Sequence, residues 1–153
     1  GIGTETNNAM NGLAILDADG FGDFDTVFQG NAFQGSVLDS GSNANFFLDD
    51  KTLSMPLCAS PNDGFYCPGT TVRYQAVNAG VSSGDSATAS WNVANANNLF
   101  NTGNAAFNNL AGPNPNAFDF GLSFFFGHTI YIGLNGASAS NNGQTVVGPF
   151  YAY

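Results

Sequence analysis

The chain has 153 residues, 43% of them hydrophobic and only 8% charged, with a formal net charge of −9. That apolar content is enough for one folded domain spanning residues 1–153 and argues against disorder. Lys51 and Arg73 are the only lysine and arginine, which speaks against nucleic acid or an anionic membrane surface as a partner. No apolar run is long enough to span a bilayer.

The elements read as all-β. Residues 13–16, 25–29 and 33–38 are short runs of strand-forming residues, separated by Gly and Asn clusters at hairpin spacing. Residues 70–77 alternate as a half-buried strand does. Residues 87–93, with the single Trp91, form the next. Residues 99–110 are the helix candidate, with Leu99, Phe100, Phe107 and Leu110 as apolar contacts. The Asn residues and the glycine in that stretch favour two short turns as the alternative. Residues 118–134 are the most hydrophobic stretch, residues 137–143 read as a polar loop, and residues 148–153 form a last aromatic strand. No repeat of fixed period and no linker divides the chain.

The stretch Ser36-Val37-Leu38-Asp39-Ser40-Gly41-Ser42 runs an apolar strand straight into Asp-Ser-Gly-Ser, and it does so once in the chain. Asp, Ser and Gly also build ordinary turns. As a site, the same residues suit a carboxylate that acts as general base on water. Gly41 permits a tight turn that brings backbone N–H groups to Asp39. Ser40 and Ser42 supply hydroxyls that can orient it. Such chemistry needs a second carboxyl that shares the proton, because two like charges in contact cannot both ionise.

A second segment belongs with the first. Phe118-Asp119-Phe120-Gly121-Leu122 lies about 80 residues after Asp39. It is followed by Thr129-Ile130-Tyr131-Ile132-Gly133-Leu134 and by Val147-Gly148-Pro149-Phe150 to Tyr153. With Gly1-Ile2-Gly3-Thr4 at the start, this order resembles the C-terminal lobe of pepsin-like and retropepsin-like aspartic proteases. It is most similar to an uncharacterised family of exported bacterial proteins with two pepsin-like halves. The motifs that carry this closer likeness include Asn7-Asn8, Asp39-Ser40-Gly41-Ser42-Asn43 and Gly64-Phe65-Tyr66-Cys67-Pro68. They continue through Asn109-Leu110-Ala111-Gly112-Pro113, Phe124-Phe125-Phe126-Gly127 and Gly148-Pro149-Phe150. One departure is His128, where that family leads us to expect a basic residue such as Arg.

The resemblance implies a single pepsin-like lobe with one or two short helices. Asp39, Ser40, Gly41 and Ser42 would form the catalytic loop, and Phe120 and Gly121 would support it by threading alongside. No cofactor is expected. The N-terminal half of such proteins, with its own aspartate loop and flap, lies outside these residues. The second carboxylate would therefore come from a second lobe or an identical subunit, and a peptide would be the substrate. The alternative is a non-catalytic extracellular subunit, structural or adhesive, that keeps the fold as part of a filament or surface layer.

Other residues carry weaker expectations. Cys58 and Cys67 flank Pro61 and Asn62-Asp63-Gly64, a turn that favours a disulfide. Two cysteines and one distant histidine are too few for a metal site. The cysteine pair and the scarcity of lysine point to an extracellular, periplasmic or cell-surface setting. No leader segment opens the chain at Gly1, so an exported protein would be present here in processed form. Asp17, Asp19, Asp23 and Asp25 crowd a hairpin that suggests calcium only weakly, because the spacing is not that of an EF-hand. With Trp91, the same hairpin suggests a carbohydrate-binding module, also weakly. Ser123, His128 and Asp119 could be drawn as a triad, but no nucleophile elbow accompanies them. Asp119 is a strand residue of unknown facing and a candidate second carboxylate. Asp49-Asp50-Lys51 reads as an exposed turn. The Phe46-Phe47, Phe124-Phe125-Phe126 and Phe150-Tyr151-Ala152-Tyr153 groups exceed what one small core obviously needs, so part of this aromatic surface is expected to pack on another lobe.

Overall fold

The computed structural model describes all 153 residues. After a 3-10 turn at Thr6–Asn8, the elements are β1 (Leu16–Asp17), β2 (Phe24–Phe28), β3 (Asn31–Leu38), β4 (Asn45–Leu48), α1 (Asp50–Leu53), β5 (Val72–Ala79), β6 (Ser86–Val93) and α2 (Ala96–Phe100). The chain continues through β7 (Ala111–Gly112), β8 (Asn114–Phe120), α3 (Leu122–Phe125), β9 (Tyr131–Gly133), β10 (Ser138–Asn141), β11 (Gln144–Val147) and β12 (Phe150–Ala152). The fold is predominantly β, with a nearly closed, barrel-like main sheet.

The seven strands of the main sheet run in the order β6-β5-β2-β3-β8-β4-β7. Strands β3 and β4 follow one another in sequence but do not pair. Strand β8 inserts between them, parallel to β3 (Val37 opposite Asp119, Leu38 opposite Phe120) and antiparallel to β4 (Phe46 opposite Asp119). The loop that joins β3 to β4 must therefore cross the end of β8, and that loop is residues 39–44. A second sheet, β1-β12-β9, is built from the two ends of the chain, with Tyr151 between Leu16 and Ile132.

Alternation explains the core. On β2, Phe24, Thr26 and Phe28 point inward while Val27 is partly exposed. On β8, Phe118 and Phe120 are buried and Asp119 faces the other way, as the period of two requires. Phe24, Phe28, Phe47, Trp91, Phe118, Phe120 and Phe124 share one cluster. Within it, Phe47 meets Trp91 edge-on at 5.0 Å between ring centroids, a geometry the ring quadrupoles favour. Tyr66 is fully buried and donates its hydroxyl to the Phe47 carbonyl at 2.9 Å. The aromatic load is thus spent mainly in the interior of the protein. Of the three groups singled out, Phe46 packs on a second cluster beside Phe65, and Phe126 alone stays largely exposed.

Several sequence expectations need correction. The helix ends at Phe100 rather than continuing to Leu110. Asn101-Thr102-Gly103-Asn104 breaks it with turns, Gly103 having φ of 78°, although Leu99, Phe100, Phe107 and Leu110 still pack together. Residues 137–143 are not a plain loop: β10 and β11 form a hairpin, closed by Asn142-Gly143 with φ of 49° and 80°. Two positive φ values are what the type I′ two-residue hairpin loop demands, and Gln29-Gly30 does the same between β2 and β3. Residues 118–134 divide into the end of β8, α3 and β9. Residues 13–16 contribute strand only at Leu16. The Asp49-Asp50-Lys51 turn is the start of α1, where the Asp49 carboxylate accepts the Thr52 N–H at 2.7 Å as an N-cap.

Candidate functional site

Asp39 sits at the tip of β3, exposed, with its backbone N–H donating to the Phe120 carbonyl at 3.1 Å. The loop then folds back on the carboxylate. Gly41 N–H donates to Asp39 Oδ1 at 2.8 Å, and Ser42 N–H donates to the Asp39 carbonyl at 3.1 Å. Ser42 Oγ lies 3.2 Å from Asp39 Oδ2. Of the two serines expected to orient the carboxylate, Ser42 does so; the exposed Ser40 hydroxyl takes no part.

The threaded strand holds the loop from the other side. Leu122 N–H donates to the Ser42 carbonyl at 2.7 Å. Gly121 lies directly against the carbonyl oxygens of Ser42 and Ala44, so closely that a methyl group there would overlap both. Glycine is required by this approach of two backbones. Phe120 and Gly121 thus support the loop, one through its carbonyl and the other through its missing side chain.

Asp119 belongs to the site through Ser42. Ser42 Oγ is 2.5 Å from Asp119 Oδ2, so a single hydroxyl touches both carboxyl groups. The other oxygen of Asp119, Oδ1, is buried without a hydrogen-bond partner. Burial raises the proton affinity of Asp119 above the ordinary carboxyl range; the Ser42 contact lowers it, and the nearby Asp39 charge raises it further. Tyr151 completes the surroundings. Its hydroxyl donates to the Gly22 carbonyl at 3.0 Å. Burial, then the Asp23 and Asp39 carboxylates, push its ionisation up and keep the phenol neutral. The role of Asp119 had a signal in the sequence. An aspartate between two core phenylalanines must face away from the core, toward whatever crosses that strand.

The remaining acids go elsewhere. The Asp17 carboxylate accepts N–H groups from Ser82 (3.1 Å) and Ser83 (2.8 Å) and the hydroxyl of Ser82. Partial burial would raise its pKa, but these hydrogen bonds outweigh it and hold the group below the ordinary value. Asp19 accepts from Phe21 and Asp23 N–H in its own turn. Asp17, Asp19, Asp23 and Asp25 therefore do not converge, and no group of acids, histidine or cysteines is arranged to hold a metal. Trp91 is buried and cannot stack on a sugar. The triad also dissolves: buried Ser123 donates to the Phe107 carbonyl at 2.7 Å, His128 contacts the Phe124 carbonyl and stacks on its ring, and Asp119 is engaged with Ser42. Cys58 and Cys67 are joined as a disulfide with Cα atoms 4.8 Å apart.

Surface hollows of about 500 and 510 Å³ lie on either side of Pro68-Gly69-Thr70, the first reaching Met55 and Tyr74 and the second Asn95 and Asn109. None of the four hollows on the surface includes Asp39. The carboxylate stands on an open face and not in a cleft. No helix is long and apolar enough to cross a membrane.

A family model described as "Protein of unknown function (DUF3443)" matches residues 1–153. Neither the curated proteins nor the solved structures contain a match to the chain.

Proposed function

The chain belongs to the DUF3443 family, and we propose that it is one lobe of an aspartic endopeptidase in which Asp39 supplies one carboxylate of the catalytic pair. The observation that carries this reading is the threaded loop. An exposed carboxylate is fixed by the Gly41 N–H and the Ser42 hydroxyl, on a loop crossed by a strand that ends in Phe120-Gly121. That arrangement supports the likeness to a pepsin-like lobe.

In the proposed reaction, water is the nucleophile. One carboxylate of the pair takes a proton from it as it attacks the peptide carbonyl. The other, protonated, donates to the carbonyl oxygen as negative charge develops there. The second carboxylate and the far wall of the cleft come from another lobe or a second copy of this chain, in keeping with the open face around Asp39. The disulfide and the scarcity of lysine favour an extracellular, periplasmic or cell-surface setting.

A second reading rests on a different observation. Leu134 (71% exposed), Val147 (58%), Phe126 (48%) and Ile132 (45%) leave apolar surface in water, and β9 is an outer strand of its sheet. Such surface favours association, so a non-catalytic structural or adhesive subunit is the alternative. The full-length protein, incubated with a mixed peptide library from pH 2 to pH 8, separates the two. Cleavage at acid pH supports the peptidase. Long assemblies by light scattering, with no cleavage at any pH, support the structural subunit.

A further inference from the structure

We infer that Asp119 is a positioning residue for Asp39, holding a proton in an Asp119–Ser42–Asp39 chain so that the Ser42 hydroxyl hydrogen is turned toward Asp39. The inference rests on the reading of Asp39 as a catalytic carboxylate. It concerns a residue that this reading does not otherwise use.

Two geometric facts carry it. Ser42 Oγ lies 2.5 Å from Asp119 Oδ2 and 3.2 Å from Asp39 Oδ2. A serine hydroxyl has one hydrogen. Two ionised carboxylates would compete for it, and the nearer would take it, leaving Asp39 without its side-chain donor. Both contacts are satisfied only if one of the two carboxyls is neutral, and the part-buried Asp119, not the exposed Asp39, is the one placed to be so. The Asp119 O–H then donates to Ser42 Oγ, and Ser42 Oγ–H donates to Asp39. The second fact is the other oxygen of Asp119, buried with no partner. An orphaned oxygen on a buried carboxylate is costly, whereas on a neutral acid it costs far less. Burial and the neighbouring Asp39 charge act in the same direction.

The titratable groups around Asp119 reinforce this arrangement. Ser42 and Asp39 face it from the loop, and Val37 on β3 and Phe46 on β4 flank it, so Asp39 is the one charged group acting on it. When pH rises enough to ionise Asp119, the chain reverses: Ser42 turns to Asp119, and Asp39 keeps only the Gly41 N–H. Within one lobe, the sequence thus contains a switch on how its catalytic carboxylate is held.

The test is a carboxyl-carbon NMR titration of the chain, wild type against Asp119→Asn and Ser42→Ala. In the wild type, Asp119 titrates above the ordinary aspartate range, and the Asp39 carboxyl and Ser42 amide resonances shift in the same step. Asp119→Asn removes that step from Asp39. Ser42→Ala shifts the Asp119 midpoint and at least halves the response at Asp39; this second variant decides the matter if Asp119→Asn does not fold. An Asp119 that titrates in or below the ordinary range overturns the inference. So does an Asp39 resonance indifferent to Asp119→Asn, or an Asp119 midpoint indifferent to Ser42→Ala. The titration needs no substrate, so coupled titrations without cleavage would remove the peptidase reading alone. Cleavage with uncoupled titrations would remove this inference alone. Where cleavage is measured, Asp119→Asn moves the falling limb of the pH–rate profile to higher pH.

Discussion

The α-carbon of Gly121 packs against the carbonyl oxygen of Ala44, leaving no room for a side chain. This contact locks the end of β8 under the Asp39 loop. The obstructing atoms are backbone on both sides, so neither can swing aside. Gly121→Ala should lower stability by about 2–4 kcal/mol, measured by urea unfolding. A loss under about 0.5 kcal/mol would mean that the loop is not threaded as described.

The aromatic core makes a sharper comparison between residues. Phe47 is 1% exposed and touches Tyr66, Tyr74, Trp91 and Phe118. Phe21 is 93% exposed. Phe47→Ala should cost about 3–5 kcal/mol, and Phe21→Ala should stay within about 0.5 kcal/mol of wild type. Similar losses at the two positions would contradict the assignment of the core.

The carboxyl groups give stability a pH dependence whose sign differs from residue to residue. The proton affinity of Asp119 is raised in the folded state, by burial first and the Asp39 charge besides. Its contribution is full below the ordinary aspartate value, about 4, and is lost as pH rises through the elevated folded value. The affinity of Asp17 is lowered by Ser82 and Ser83 despite partial burial, so its contribution is present above about pH 4 and lost as pH falls. Asp119→Asn should therefore gain stability relative to wild type as pH is raised from about 4 to neutrality. Melting temperatures of the two proteins, compared across that window, check this; a constant difference would refute it.

The disulfide closes a loop with a sequence separation of nine residues. Replacing both cysteines by alanine should cost about 2.5 kcal/mol by chain entropy. The loop carries buried Tyr66 and its bond to Phe47, so near-ultraviolet circular dichroism should retain the aromatic signal if the loop stays docked. Loss of that signal would show that the bridge holds the core as well as the loop.

What was legible in the sequence follows from the range of each interaction. Strands with one buried face, such as β5 and β6, show their alternation in the sequence. The hairpin of β10 and β11 is short, and only Ala139 and Val146 turn toward a small cluster beside Phe150, so its alternation is faint. Asn142-Gly143 is the local signal that the polar-loop reading passes over. Residues 99–110 carry helical spacing of Leu and Phe, yet local turn chemistry at Asn101 to Asn104 prevailed while the same side chains still reached a common cluster. The Asp39 loop was readable as a motif, together with the Gly121 segment it meets. The bridge from Asp39 through Ser42 to Asp119 was not, because it depends on the register of a parallel strand pair far apart in sequence. The aromatic count was plain, but its distribution between core and surface depends on the closure of the main sheet.

The proposal as a whole turns on Asp39. The most direct measurement compares peptide cleavage by the full-length protein with that of Asp39→Asn, at the acid pH where the wild type is fastest. The substitution keeps the size of the side chain and the Gly41 contact while removing the ionisable group. The account predicts cleavage by the wild type and a loss of at least about a thousandfold in the variant, with the melting temperature little changed. A variant that cleaves at the wild-type rate, or a wild type that cleaves nothing at any pH, would contradict it.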